Sequence, residues 1–174
     1  MKLLVTICYL GVALPVAAAS AGVRVGVDAS GYPEVQGTVV GSAPSSRPPV
    51  VREGGVPVVG LRAQNLGRTK AVVLAIDRSR SMQGTALADA TAAARTFLAV
   101  KAPSDRVAVV AFGRRAEALT DFAAATADAA EALASIAVES REGTALYDAV
   151  DVAAARLAAQ RLPGRVVVLL TDGR

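Results

Sequence analysis

An uninterrupted apolar run, Ala71 to Ile76, ends abruptly in Asp77, and Ser79 and Ser81 follow at alternate positions before Gly84 closes the loop. A run with no polar alternation suits a strand covered on both faces, and such strands belong to parallel sheets. The chain is 53% hydrophobic but only 3% aromatic. Its core is therefore built from Val, Leu and Ala, which favours interleaved parallel strands and alanine-faced helices over an aromatic-centred sandwich. The sequence predicts an α/β fold, and 174 residues suffice for one domain with a real core plus a small appendage.

Downstream of Gly84 the pattern alternates between helix and strand. Thr85 to Lys101 is helical by composition, with Leu87, Ala90, Ala94 and Phe97 or Leu98 repeating at three and four, and Pro103 stops it. Arg106 to Phe112 reads as a second buried strand, and Ala116 to Thr120 as a short edge strand. Thr126 to Ile136 is a second helix, started by Thr126 and Asp128, and Ala145 to Gln160 a third. Arg165 to Leu170 is a last buried strand, running into Thr171, Asp172 and Gly173. The expected architecture is a Rossmann-like open, mostly parallel sheet with helices on both faces, ending after its fourth strand.

Upstream the organisation differs. Met1 to Ala21 carries one positive charge at Lys2, an apolar stretch from Leu3 to Val16, and small residues from Ala17 to Ala21. These are the three zones of a secretory signal peptide, with cleavage expected after Ala19 or Ala21; the alternative is an uncleaved membrane anchor. Residues 22–69 read as a small β module. Val23, Val25 and Val27 alternate with polar residues or Gly as in a half-buried strand, and Glu34 to Val40 alternates again. A Gly, Ser and Pro linker follows from Gly41 to Pro49, and Gly54-Gly55 marks a hairpin. The third segment, 70–174, holds the helix and strand alternation.

Several chemistries are excluded by residue type. The chain has no His, and its single Cys, Cys8, falls in the expected leader. Zinc sites built on His or Cys and Ser-His-Asp catalysis are therefore absent from the mature chain, as is an internal disulfide. The formal charge of +4 is a weak bias. Its arginines are scattered among acids and alanines rather than interleaved with aromatics, so no nucleic-acid partner is expected.

The last strand repeats the logic of the first, an apolar run giving way to an acidic residue. In an open parallel sheet the carboxyl ends of the strands share one edge, where ligands gather. If the strands leading to Asp77 and Asp172 are neighbours, both carboxylates face one crevice, joined by the hydroxyl of Thr144 at the start of the third helix. Taken singly, each element has an ordinary meaning: Asp-x-Ser-x-Ser and Thr144 as helix caps, Asp172-Gly173 as a turn. Together they form a set of two carboxylates and three hydroxyls suited to Mg²⁺, a hard cation that prefers oxygen. Asp148 and Asp151 are expected to be solvated helix charges, and Arg78 and Arg80 to be exposed.

Asp77-x-Ser79-x-Ser81, then Thr144, then Thr171-Asp172-Gly173, in that order, resembles the von Willebrand factor type A domain. In that family these motifs form a metal-ion-dependent adhesion site. The resemblance implies Mg²⁺ or Mn²⁺ held directly by Ser79, Ser81 and Thr144, with Asp77 and Asp172 acting largely through water, and a protein partner's carboxylate completing the shell. It also implies further strands beyond the Thr-Asp-Gly motif. A chain stopping at Arg174 is thus expected to be a fragment, with Arg165 to Leu170 left as an apolar edge. Loosely, the chain also resembles exported actinobacterial type A proteins, some of which continue into membrane segments related to type II secretion or tight-adherence factors.

The expected function is a divalent-cation-dependent protein-binding module of an exported or membrane-tethered bacterial protein, located extracellularly or at the cell envelope. Attachment would come through an uncleaved leader or through segments beyond Arg174. The alternative is an assembly component of a cell-envelope secretion or pilus system with a residual metal site. An enzyme is not expected. A haloacid-dehalogenase-type phosphatase needs a carboxylate where Ser79 stands, and there is no phosphate-binding loop, GxSxG elbow or histidine base, which leaves only metal-assisted hydrolysis by bound water.

Overall fold

The computed structural model describes residues 2–7, 23–41, 47 and 49–173. The chain divides into two compact units, Met1–Arg68 and Thr69–Arg174.

The first unit contains strands β1 (Lys2–Ile7), β2 (Arg24–Asp28), β3 (Glu34–Val40), β4 (Arg52–Glu53), β5 (Val56–Pro57) and β6 (Arg62–Asn65). Four of them form a sheet in the order β2-β3-β1-β6, while β4 and β5 make a separate hairpin. Gly54 and Gly55 turn that hairpin at φ 56° and 85°. Positive φ at both central residues matches the twist of the flanking strands and costs least in glycine, which is why the pair was legible as a turn. β1 lies inside the expected leader and runs parallel to both β3 and β6. The rest of the expected leader, Cys8 included, and most of the linker lie outside the described residues.

One expectation fails in this unit. Val23, Val25 and Val27 are 65%, 66% and 72% exposed rather than half-buried. Alternation makes a face suitable for burial, but burial needs a second layer, and no described residue of this unit is helical.

The second unit begins with β7 (Lys70–Asp77), followed by a 3₁₀ turn at Arg80–Met82 and helix α1 (Ala86–Val100). Then come β8 (Arg106–Phe112), β9 (Ala116–Ala118), α2 (Ala127–Ser135), α3 (Leu146–Ala158) and β10 (Gly164–Leu170). The sheet order is β10-β7-β8-β9, with β7 parallel to both β10 and β8 and with β9 antiparallel at one edge. This is the parallel-rich, Rossmann-like sheet expected from the sequence.

β7 is central, and every residue from Ala71 to Asp77 is no more than 1% exposed. Val72, Leu74 and Ile76 face one core with Leu87, Ala94 and Leu98 of α1 and Leu133 of α2. Ala71 and Val73 face the opposite core with Ala153 and Leu157 of α3. Burying a Val, Leu or Ile side chain contributes about 1.5–3 kcal/mol, so this continuous run decides where the sheet is centred. The alanines of α3 let that helix approach the sheet closely: Ala149 and Ala153 are both 0% exposed.

β10 departs from the expectation of a fully buried strand. Val166, Val168 and Leu170 pack on the α1 side, whereas Val167 and Leu169 are 37% and 38% exposed. Among the described residues β10 pairs with β7 alone and so forms an edge of the sheet, where α3 covers the face of Val167 and Leu169 only in part.

At the amino end of the sheet Asp105, 2% exposed, clips β7 to the turn before β8. Its Oδ1 accepts the backbone N–H of Lys70 at 2.9 Å, and its Oδ2 lies 3.2 Å from Lys70 Nζ. Lys101 Nζ donates to the Asp105 carbonyl at 2.8 Å. Asp105→Ala would leave the Lys70 amide without its partner in a poorly hydrated place, at a cost of about 1–3 kcal/mol. Urea unfolding should show a lower midpoint with an unchanged slope; an unaltered midpoint would show that the clip contributes nothing.

Candidate metal centre

The register of the sheet sets the site. Leu170 pairs with Ile76, so the residues after β10 run on beside Asp77, which itself pairs with Phe112 at the end of β8. The carboxyl ends of three parallel strands therefore meet at one edge, the place where ligands gather in such sheets.

Asp77 is wholly buried. Its Oδ1 accepts the Ser79 N–H at 2.8 Å and its Oδ2 accepts the Thr171 hydroxyl at 2.7 Å. Among the described residues it has no ion pair with any Lys or Arg. A buried carboxylate is costly unless paired, and two hydrogen bonds offset only part of that cost.

A chain of hydroxyls leads from Ser79 to Asp172, and Asp77 meets it only through the Ser79 backbone N–H. Ser79 Oγ lies 3.1 Å from Ser81 Oγ, and the Ser81 hydroxyl donates to Asp172 Oδ1 at 3.0 Å. A hydroxyl has one proton, so if Ser81 gives its own to Asp172, Ser79 donates to Ser81, and both oxygens keep lone pairs for a cation. Ser79, Ser81 and Thr144 line one open cavity of about 390 Å³, with Arg80, Gln83, Glu142 and Gly143 completing its wall. The Thr144 side chain is exposed and makes no hydrogen bond among the described residues. Ala145, not Thr144, occupies the N-cap of α3, so the capping alternative for Thr144 is not realised.

The loop that brings Thr144 here is fastened to the strand ends by backbone hydrogen bonds. Arg78 N–H donates to the Phe112 carbonyl at 2.7 Å, Glu139 N–H to the Arg78 carbonyl at 2.7 Å, and Ala145 N–H to the Gly113 carbonyl at 2.6 Å. At Gly113 the Glu139 side chain comes close: a Cβ there would lie 2.7 Å from its carboxyl carbon, so a larger residue would push that carboxylate aside. Gly143 sits at φ 128°, which an L side chain rarely adopts, as the loop turns towards α3.

All five residues expected from the sequence thus fall at this edge. Three share the cavity, Asp172 joins through Ser81, and Asp77 is buried and tied to Ser79. The donor set is short of carboxylates: no group of three or more His, Cys, Asp or Glu suited to a metal occurs among the described residues. Two features differ from the sequence reading. Thr171, placed there only within a motif, is a direct partner of Asp77. Arg78 is not an exposed arginine: its side chain is 22% exposed and pairs with Glu117 at 3.3 Å and Glu139 at 3.2 Å. Those acids come from β9 and from the loop after α2, and nothing in the local sequence signals their arrival. Arg80 is exposed as expected, but pairs with Glu142 at 3.0 Å beside the cavity. Asp148 and Asp151 are exposed on α3, also as expected.

Comparison with solved structures gives the same fold at low identity. The conserved hypothetical protein BatB of Bacteroides thetaiotaomicron matches with a TM-score of 0.52 at 23% identity, covering 59% of this chain and 56% of that one. The vWF domain of the type V pili tip protein Mfa5 of Porphyromonas gingivalis matches with a TM-score of 0.51 at 23% identity, covering 60% and 38%. A structure of three N-terminal domains of Mfa5 matches with a TM-score of 0.53 at 19% identity, covering 87% and 27%. The chain thus spans little more than half of BatB and a smaller part of the Mfa5 structures. No curated protein sequence matches. The sequence pattern of the von Willebrand factor type A domain matches residues 72–174, from the central strand to the end of the chain, which is more than half of its length. The chain belongs to the von Willebrand factor type A domain family.

Proposed function

We propose that the second unit is a protein-binding module that holds Mg²⁺ or Mn²⁺ at the carboxyl edge of its sheet and recognises an acidic side chain of a partner protein. The observation that carries this reading is the wholly buried Asp77, which no cationic side chain neutralises among the described residues, beside a cavity lined by three hydroxyl-bearing residues. Oxygen donors of low total charge suit Mg²⁺, which keeps several waters and is held by one or two carboxylates with further oxygens. Ser79, Ser81 and Thr144 would supply the direct contacts, and Asp77 and Asp172 the charge behind them. A cation bound there supplies an electrophilic position for a carboxylate from outside.

The chain's own groups are arranged for holding rather than turnover. Asp77 is fixed by Ser79 N–H and Thr171, and the Ser81 hydroxyl is oriented by Asp172. Arg80, paired with Glu142, lies at the same cavity and would meet an incoming acidic residue. With no histidine anywhere in the chain, the site lacks the usual general base, so we read it as a binding site and not as an enzyme. The leader supports export to the cell surface or envelope; no described helix is long and apolar enough to cross a membrane.

Ligand linkage gives the test. After chelation, adding Mg²⁺ at a hundredfold excess over Kd should stabilise the fold by about 2.7 kcal/mol, several degrees in Tm. Asp77→Ala or Ser79→Ala should abolish the increase, and Thr144→Ala should shift it to higher Mg²⁺. A melting curve indifferent to Mg²⁺ in the folded protein would contradict the proposal. Thr171→Val removes a hydrogen bond to a buried charge and should cost about 1.5–3 kcal/mol by urea unfolding; no loss would mean that Asp77 is anchored without it. If the chain is exported through its leader, the amino terminus of the secreted protein should read from Ser20 or Gly22, whereas Met1 on an exported chain would show that the leader is retained.

A further inference from the structure

A larger cavity, about 820 Å³, is bounded by Arg78, Arg114, Arg115, Glu117, Glu139 and Arg141, with Ala116, Val138 and Ser140 filling its wall. The sequence scatters these arginines, and the fold gathers them. Both carboxylates are already engaged, since Glu117 and Glu139 share the guanidinium of Arg78 and Glu139 also accepts the Arg114 N–H at 3.0 Å. The side chains of Arg114, Arg115 and Arg141 make no ion pair or hydrogen bond among the described residues, and all three residues are exposed. Four guanidinium groups against two carboxylates leave an excess of positive charge around an open cavity.

This cavity adjoins the hydroxyl-lined one. Arg78 and Ser79 are consecutive and lie one on each, as do Arg141 and Glu142. Consecutive Cα atoms are about 3.8 Å apart, so a ligand of a few residues lying across this boundary reaches both. Guanidinium forks match carboxylates in a bidentate manner, and here three are not committed within the fold. The lining contains no aromatic ring on which a base would stack, and its two carboxylates repel a phosphate backbone.

We propose that the arginine-lined cavity is a second docking site for the partner, taking further carboxylates of an acidic segment whose first acidic residue sits at the metal. This rests on the metal-dependent binding reading above, and it adds a requirement: the partner carries a run of acidic residues rather than one. The arginines give the charge attraction and orient the segment, while the hydroxyl-lined cavity selects a single carboxylate.

The test uses the full chain and a fluorescein-labelled oligoglutamate peptide, followed by fluorescence anisotropy in EDTA and again in Mg²⁺. The wild-type chain should bind the peptide in EDTA and more tightly in Mg²⁺. Arg115→Glu with Arg141→Glu should weaken binding in EDTA by about tenfold, as expected for losing two charge-assisted contacts. The Mg²⁺-induced rise in Tm should survive in this variant, which shows that the fold and the first cavity are intact. Arg115→Gln with Arg141→Gln should fall between the two. Charge-reversed protein that binds the peptide like wild type would overturn the proposal, as would a single-stranded oligonucleotide of equal charge binding more tightly than oligoglutamate. Loss of the Mg²⁺ response with arginine-dependent peptide binding intact would overturn the metal reading alone and leave this cavity as the acidic-segment site.

Discussion

The carboxylate of Asp77 has no exposure to water and no positive side chain among the described residues to neutralise it. That uncompensated charge is the constraint around which the edge of the sheet is built. The most buried of the described strands delivers it, because only a strand covered on both faces could carry a carboxylate to full burial at its last position. The Ser79 N–H and the Thr171 hydroxyl then restrain it, and the Ser79 and Ser81 hydroxyls beside it lead on to Asp172. A divalent cation held by the neighbouring hydroxyls would complete the balance that the protein leaves open.

The surrounding scaffold serves that edge. Gly113 lets the Glu139 carboxylate close against the end of β8, and Glu139 in turn draws Arg78 away from the site. The positive charge nearest in sequence to Asp77 is thereby spent on two acids elsewhere. Arg80 is balanced in the same way by Glu142 at the rim. The result is a strand end where cationic side chains are present in the sequence but directed elsewhere, so they do not compete for the carboxylate. On the adjoining cavity Arg114, Arg115 and Arg141 remain uncommitted among the described residues, which, with a cation held at the hydroxyls, would give one face two kinds of attraction for acidic groups.

How far the fold was legible follows from which interactions are local. The runs Ala71 to Ile76 and Arg106 to Phe112 announced central strands because burial on both faces removes alternation from the sequence. The first helix was legible from its three-and-four spacing and the second from its start at Thr126 and Asp128, and Asp77, Ser79, Ser81, Thr144 and Asp172 from their positions at element ends. Failures came where a partner element decides. Val23, Val25 and Val27 alternate as if half-buried, yet nothing described covers them; Val167 and Leu169 are apolar, yet their face of β10 is only partly covered. Arg78 read as exposed because Glu117 and Glu139, far along the chain, give no local signal. Thr171 was visible as part of a motif, but its bond to Asp77 depends on the β7–β10 register.

The most direct test of the central claim counts the cation itself. Electron paramagnetic resonance of Mn²⁺ added to the chelator-treated chain reports free aquo-ion, which disappears as metal is bound. One Mn²⁺ per chain is expected, displaced by excess Mg²⁺, with no such site after Asp77→Ala. Undiminished Mn²⁺ binding in Asp77→Ala, or none in the folded wild-type chain, would contradict it.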